Sequence, residues 1–236
     1  MKVLVIGDAC IDEYRFGDIT RVNPESTAPL LTYHTTEERL GMAHNVANNL
    51  RGLGADVTLS VPKELSRKIR YIDKRTGSHL LRVDHDVHCE PYAPAQRYEY
   101  DAIVISDYDK GYLTTDSIRA IRNSFAGAMY MDTKKINLGD FPGIYFKINE
   151  RELCESISLP EHNKLIVTYG SKGCGYMDKV YSAKPIEVVD VCGAGDVFLA
   201  AMVVKHLQTN DMDMALHFAN EKAALSCQSL GTVCIS

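Results

Sequence analysis

The 236-residue sequence predicts a doubly wound α/β fold, a mostly parallel sheet with helices on both faces, plus a small β lid. Three observations predict it. Short β-branched runs recur at residues 2–6, 56–61, 102–106, 129–132, 145–148 and 165–168. Their near-continuous apolar character suits strands covered on both faces, as in a parallel sheet. Helical periodicity lies between several of them, at 43–50, 115–125, 150–157, 194–206 and 211–227. Strand alternating with helix is the pattern of crossover connections.

Two segments break this alternation, about 20–39 and 67–86. In the second, 68–73 and 78–83 read as strands around the turn Lys74-Arg75-Thr76-Gly77. Extra strands on an α/β body form a lid, and their open edges are expected to pair with a second subunit as a homodimer. With no repeat, low-complexity tract or linker, residues 1–236 read as a single domain.

Composition excludes several classes. A net charge of -5, with no Lys/Arg-rich run, gives nucleic acid no attraction. No apolar stretch is long enough for a membrane span, and Met1-Lys2 leads directly into Val3, so a cytoplasmic protein is expected. Seven cysteines without a Cys-x-x-Cys pair argue against a disulfide framework or zinc knuckle. Asp84-His85-Asp86-Val87-His88-Cys89 has metal-ligating composition, but neighbours on a strand point to opposite faces and do not converge.

The densest chemistry is Val188-Val189-Asp190-Val191-Cys192-Gly193-Ala194-Gly195-Asp196, followed at once by an apolar helix. The first N–H groups of a helix lack internal acceptors and sit at the positive end of its dipole, which suits a phosphate. Gly193 and Gly195 allow close approach, and Asp196 in the first turn is expected to stay ionised and to act as a base. Taken alone, Asp196 reads equally well as a helix cap.

Residues 190–196 resemble the Asp-Thr-x-Gly-Ala-Gly-Asp signature of ribokinase-like (phosphofructokinase-B type) carbohydrate kinases. Three further stretches resemble the heptose 7-phosphate kinase branch of that family, the sugar kinase part of ADP-heptose synthesis. They are Val5-Ile6-Gly7-Asp8-Ala9-Cys10-Ile11-Asp12-Glu13-Tyr14, Arg21-Val22-Asn23-Pro24-Glu25, and Glu37-Glu38-Arg39-Leu40-Gly41-Met42-Ala43-His44-Asn45-Val46-Ala47. Ser106-Asp107-Tyr108-Asp109-Lys110-Gly111, Asp132-Thr133-Lys134 and the Asn-x-x-Glu at 149–152 extend the likeness along most of the chain.

The resemblance implies a site. Asp196 would be the catalytic base, with the Gly193, Ala194 and Gly195 backbone as anion hole. Asp8, Asp12, Gly41, Asn45 and Lys110 would bind the sugar. Lys134, Asn149, Glu152, Thr168, Gly170, Gly173 and Asn220 would face the nucleotide, with Asn149 and Glu152 ordering magnesium through water. ATP and Mg2+ are the implied cofactors, and a monovalent cation is a candidate third.

The sequence also departs from the family. The usual Gly-Gly pair is Gly41-Met42, a small residue has become His44, and the signature Thr is Cys192. About one strand-helix unit is missing after Val61, and the likeness stops before the nucleotidyltransferase domain of bifunctional members. The resemblance therefore implies an ATP-dependent kinase of a sugar or sugar phosphate, nearest to heptose 7-phosphate at its anomeric hydroxyl. Another sugar phosphate or nucleoside acceptor, or a degenerate kinase that only binds, remains open. A dinucleotide-binding dehydrogenase is disfavoured, because Gly7-Asp8-Ala9-Cys10 lacks the Gly-x-Gly-x-x-Gly turn.

Overall fold

The computed structural model describes residues 1–229 and 231–236. Strands β1 (Lys2–Gly7), β4 (Asp56–Ser60), β7 (Ala102–Asp107), β8 (Ala128–Thr133), β9 (Ile144–Asn149) and β10 (Leu165–Thr168) pair in parallel in the order β10-β9-β8-β7-β1-β4. The short antiparallel strands β11 (Cys174–Tyr176) and β12 (Lys179–Tyr181) extend the edge beyond β10.

Alternation along β1 shows why both faces are covered. Val3 and Val5 pack on one side with α1 (Ala43–Gly52), α4 (Ala194–Thr209) and α5 (Met212–Ser226). Leu4 and Ile6 pack on the other with α2 (Thr115–Ser124) and Phe146. Each fully buried aliphatic side chain contributes roughly 1.5–3 kcal/mol relative to exposure, so the run tolerates no polar position. Every residue of α4 from Val197 to Val204 is buried, since the helix is wedged between the sheet, α1 and α5. The short α3 (Glu150–Glu155) follows β9 directly. Among the described residues, no helix is long and apolar enough to cross a membrane.

A second sheet has the order β3-β2-β5-β6, from β2 (Ala9–Val22), β3 (Pro29–Met42), β5 (Ser66–Asp73) and β6 (His79–His85). Its β5–β6 hairpin lies where the sequence reading put it. Its first half differs, occupying Ala9 to Met42 rather than about 20–39. The acidic residues Asp12 and Glu13 disguise the strand. They are tolerated because Arg70 pairs with Asp12 at 2.5 Å, while Arg15 and Arg67 pair with Glu13 at 2.6 and 2.8 Å.

The last helix ends at Ser226, within a residue of the expected bound. Residues 231–236 lie against α1, where the Asn49 side chain donates to the Val233 carbonyl at 3.1 Å and accepts from the Ile235 N–H at 2.9 Å. Asn49 is fully buried and also donates to Asn45. Replacing Asn49 with Leu leaves those groups unpaired at about 1–3 kcal/mol each where water cannot reach them. The expected outcome is a lower urea midpoint with unchanged slope, together with faster hydrogen exchange at the Ile235 amide.

Candidate active site

In this strand order the chain runs outward from β1 to β4 and then returns to build the opposite side from β7 onward. Such a switch point opens a crevice at the carboxyl ends of the strands. Asp8 lies there, immediately after β1. Its Oδ2 accepts from the N–H groups of Tyr108 at 2.7 Å and Lys110 at 3.3 Å. Its Oδ1 is buried with no partner among the described residues, and burial raises the carboxyl pKa. An unsatisfied acceptor in a crevice is a ready partner for a hydroxyl.

The α4 entrance faces the same crevice. Asp190 ties down the preceding turn, its Oδ1 accepting from the Cys192 N–H at 3.0 Å and its Oδ2 from the Gly231 N–H at 2.8 Å. Gly193 then takes the left-handed conformation, φ 77°. A Cβ there would be strained by that φ and would lie 2.6 Å from Asn45 Nδ2, while one on Gly195 would lie 2.9 Å from Lys147 Nζ and would displace that ammonium. The expected anion hole needs one correction. The Ala194 N–H is already bonded to the Val191 carbonyl at 3.2 Å, whereas the N–H groups of Gly195 and Asp196 have no backbone acceptor among the described residues.

Asp196 is buried at this entrance, with Asn45 Nδ2 donating to one carboxylate oxygen at 2.8 Å and the Tyr108 hydroxyl donating to the other at 3.3 Å. Burial raises its pKa to about 6, against the pull of Asn45. The helix dipole alone would have lowered it, so desolvation wins here, and the group still ionises at neutral pH. Burial and the Asp196 charge push the Tyr108 phenol well above its usual value, which keeps it a donor.

Lys147 was missed by sequence reasoning. It sits on β9, buried, and its ammonium bonds Asp132 Oδ2 at 2.5 Å. Burial opposes that charge, but the Asp132 carboxylate outweighs it and the pKa rises above the ordinary lysine value. The signal was available: a lysine inside the apolar strand Ile144–Asn149 has to be paired or functional.

The remaining expected residues divide. Asp12 is held by Arg70, and a Cβ on Gly41 would strike its carboxylate. Lys134 pairs with Glu152 and lies 5.4 Å from the Tyr108 ring centre. Asn149 and Glu152 form a reciprocal capping box on α3, at 2.9 and 2.8 Å. Thr168 donates to the Ile148 carbonyl at 3.3 Å, and Gly170 and Gly173 shape the turn into β11 with positive φ. Lys110 turns its ammonium outward to Asp86 at 2.5 Å. Asn220 is buried and donates to the Tyr181 carbonyl at 2.8 Å, a contact that fastens β12 to α5 rather than lining the crevice.

No group of three or more His, Cys, Asp or Glu among the described residues is placed to hold a metal directly. Both Glu152 carboxylate oxygens are already engaged, Oε1 with the Lys134 ammonium and Oε2 with the Asn149 N–H.

Two of the expected departures carry a physical consequence. Met42 adopts φ 58° and ψ -127°, a region that glycine enters freely and other residues at a cost of about 1–3 kcal/mol. His44 leaves Nδ1 buried without a partner among the described residues, and burial lowers its pKa.

A mostly parallel α/β sheet joined to a smaller second sheet is the arrangement of the ribokinase-like fold. The structure of Cryptococcus neoformans var. grubii ribokinase in complex with ADP superposes with a TM-score of 0.71 at 17% identity, covering 99% of this chain and 97% of that one. The model of the pfkB family of carbohydrate kinases matches residues 146–235. The bifunctional protein HldE of Rhodopseudomonas palustris is 26% identical over 304 aligned positions, covering 100% of this chain and 61% of the relative. The D-beta-D-heptose 7-phosphate kinase of Bordetella bronchiseptica is 29% identical, covering 98% of this chain and 92% of the relative. The chain thus spans 61% of the bifunctional relative's length. Over residues 146–235 the chain is similar to the pfkB carbohydrate kinases.

The raised pKa of Asp196 makes a stability prediction. A carboxyl whose folded pKa of about 6 exceeds its ordinary value of 3.8 favours the fold below pH 4, and that contribution is lost as pH climbs through 6. Asp196→Asn removes this loss. The variant is expected to gain up to about 3 kcal/mol over the parent at pH 7 and nothing at pH 3.5, read from denaturant melts at both pH values.

Proposed function

We propose that this chain transfers the γ-phosphoryl group of ATP to a hydroxyl of a sugar or sugar phosphate, nearest to heptose 7-phosphate at its anomeric oxygen. The observation that carries the reading is the α4 entrance, where an ionisable buried carboxylate and two unpaired N–H groups face one crevice. Phosphoryl transfer needs alignment, charge neutralisation and a proton acceptor, and these groups supply them together.

In the proposed mechanism Asp196 receives the acceptor's proton. Asn45 and Tyr108 aim its two oxygens, and a pKa near 6 matches a base working at neutral pH. The N–H groups of Gly195 and Asp196 hold the transferring phosphoryl group, with the Lys147 ammonium beside them to offset its charge. Asp8 accepts from a substrate hydroxyl through its free Oδ1. When bound, magnesium neutralises the nucleotide phosphates, and Asn149 and Glu152 would hold it through water.

The ADP bound by the ribokinase neighbour and the heptose phosphate named for the Bordetella relative support the choice of donor and acceptor. A related acceptor is the second reading, because Met42, buried and paired with Ala9 across β2 and β3, stands where the resembling kinases have glycine. The second sheet acts as the lid in this proposal. Its outer strands leave Tyr33, Leu40 and Leu81 exposed, which supports a homodimer through that sheet. Light scattering is expected to give twice the 26.3 kDa chain mass, and a concentration-independent monomer would remove the dimer from the proposal.

Phosphorus NMR of ATP with heptose 7-phosphate, fructose 6-phosphate and ribose in turn is expected to show a new sugar-phosphate resonance with one of the phosphorylated acceptors. Asp196→Asn should cut turnover by about a hundredfold or more while ADP binding is retained. Parent kcat/KM should fall tenfold per pH unit below about 6, as the carboxylate protonates. Equal turnover by parent and variant would refute the assignment of Asp196 as base.

A further inference from the structure

We infer that Lys68 is the residue that reads the phosphate group already present on the acceptor, so that this site selects phosphorylated sugars. The inference rests on the kinase reading above and names the substrate class for it. Lys68 lies on β5, opposite Asp12 of β2 in the parallel register. Lys68 and Arg70 are two residues apart on one strand and share a face. Arg70 on that face reaches Asp12, and the Lys68 ammonium reaches across the crevice to stand 5.4 Å from the Tyr108 ring centre. The same Tyr108 donates its hydroxyl to Asp196.

Charge accounting isolates this lysine. Around the crevice, Arg67 pairs with Glu13 and Glu38, Arg70 with Asp12, Lys134 with Glu152, and Lys147 with Asp132. Lys68 alone of these cations has no carboxylate partner among the described residues, and only an aromatic face sits beneath it. A cation resting on a ring is held weakly, whereas a phosphate dianion offers charge-assisted hydrogen bonds that are about twice as strong as neutral ones. The four-carbon stem lets the ammonium leave the ring for such a ligand without moving the strand.

Position separates this phosphate from the one being transferred. Lys134, also 5.4 Å from the Tyr108 ring, comes from the main sheet beside the Asn149–Glu152 cap. Lys68 comes from the second sheet, beside Asp12. Tyr108 therefore stands between two ammonium groups that belong to opposite walls. A sugar bonded at one end to Asp196 and phosphorylated at the other spans the route from the base to the Lys68 wall.

The test compares the parent, Lys68→Gln and Lys68→Arg on fructose 6-phosphate against fructose, and on heptose 7-phosphate against heptose, with calorimetric titration of each sugar phosphate run in parallel. The expected result is at least a tenfold rise in KM and Kd for the phosphorylated acceptors with Lys68→Gln, with kcat little changed. Lys68→Arg should retain most of the affinity, and the unphosphorylated sugars should be unaffected. Unchanged KM and Kd for the phosphorylated acceptors would overturn the assignment. Equal loss on phosphorylated and unphosphorylated sugars would also overturn it, showing that Lys68 acts through Tyr108 on the base. Should the parent transfer phosphate to no acceptor, the kinase reading fails by itself, and the calorimetric difference between parent and Lys68→Gln still decides the phosphate contact.

Discussion

The site depends on keeping one carboxylate charged in a place that water has largely left. Asp196 is buried at the start of α4, and burial drives its pKa up to about 6. Three groups limit that rise: the Asn45 amide, the Tyr108 hydroxyl and, through space, the Lys147 ammonium. Each comes from a different element, α1, the loop after β7, and β9. The sheet and the helical layer of α1 and α4 thus have to be assembled before the group acquires its chemistry, which places function downstream of long-range packing rather than in a local motif.

Much of the main sheet was legible because its strands obey one rule. A strand buried on both sides has to be apolar throughout, and β1, β7 and β8 advertise this. Even there, the exceptions were the informative residues. Lys147 interrupts β9 and Asp132 is the penultimate residue of β8, and the two neutralise each other beside the α4 entrance. Periodicity weighs residues singly, so a pair of opposite charges on neighbouring strands does not register. The second sheet was only half legible for a related reason: Asp12 and Glu13 read as loop residues until Arg70, Arg15 and Arg67 are brought alongside by β-pairing distant in sequence.

The candidate site shows the same division. Local backbone accounts for part of it: Gly193 turns the chain into α4, Asp196 falls in its first turn, and Asn149 and Glu152 cap α3. The rest depends on where a long side chain swings and was not legible. Lys110 turns out to Asp86, and Asn220 is spent on the Tyr181 carbonyl. Alignment with the Rhodopseudomonas relative runs over 304 positions against 236 residues here, so the relative carries stretches that this chain lacks. The sheet nonetheless closes with β4 as an outer strand, and β5 of the second sheet begins six residues after β4 ends.

The way the two sheets are joined has a mechanical meaning. Between β1 and β2 there is a single residue, Asp8, and β3 passes into α1 with none between Met42 and Ala43. The Asp8 backbone is clamped on both sides, its N–H to the Ser106 carbonyl and its carbonyl to the Ala43 N–H, each at 3.0 Å. Of the four connections between the sheets these two are the shortest, so a rocking of the smaller sheet over the larger one would turn about Asp8 and Met42. The fulcrum of that movement carries the unpaired carboxylate oxygen, so occupancy of the crevice and the angle between the sheets are read at the same atom.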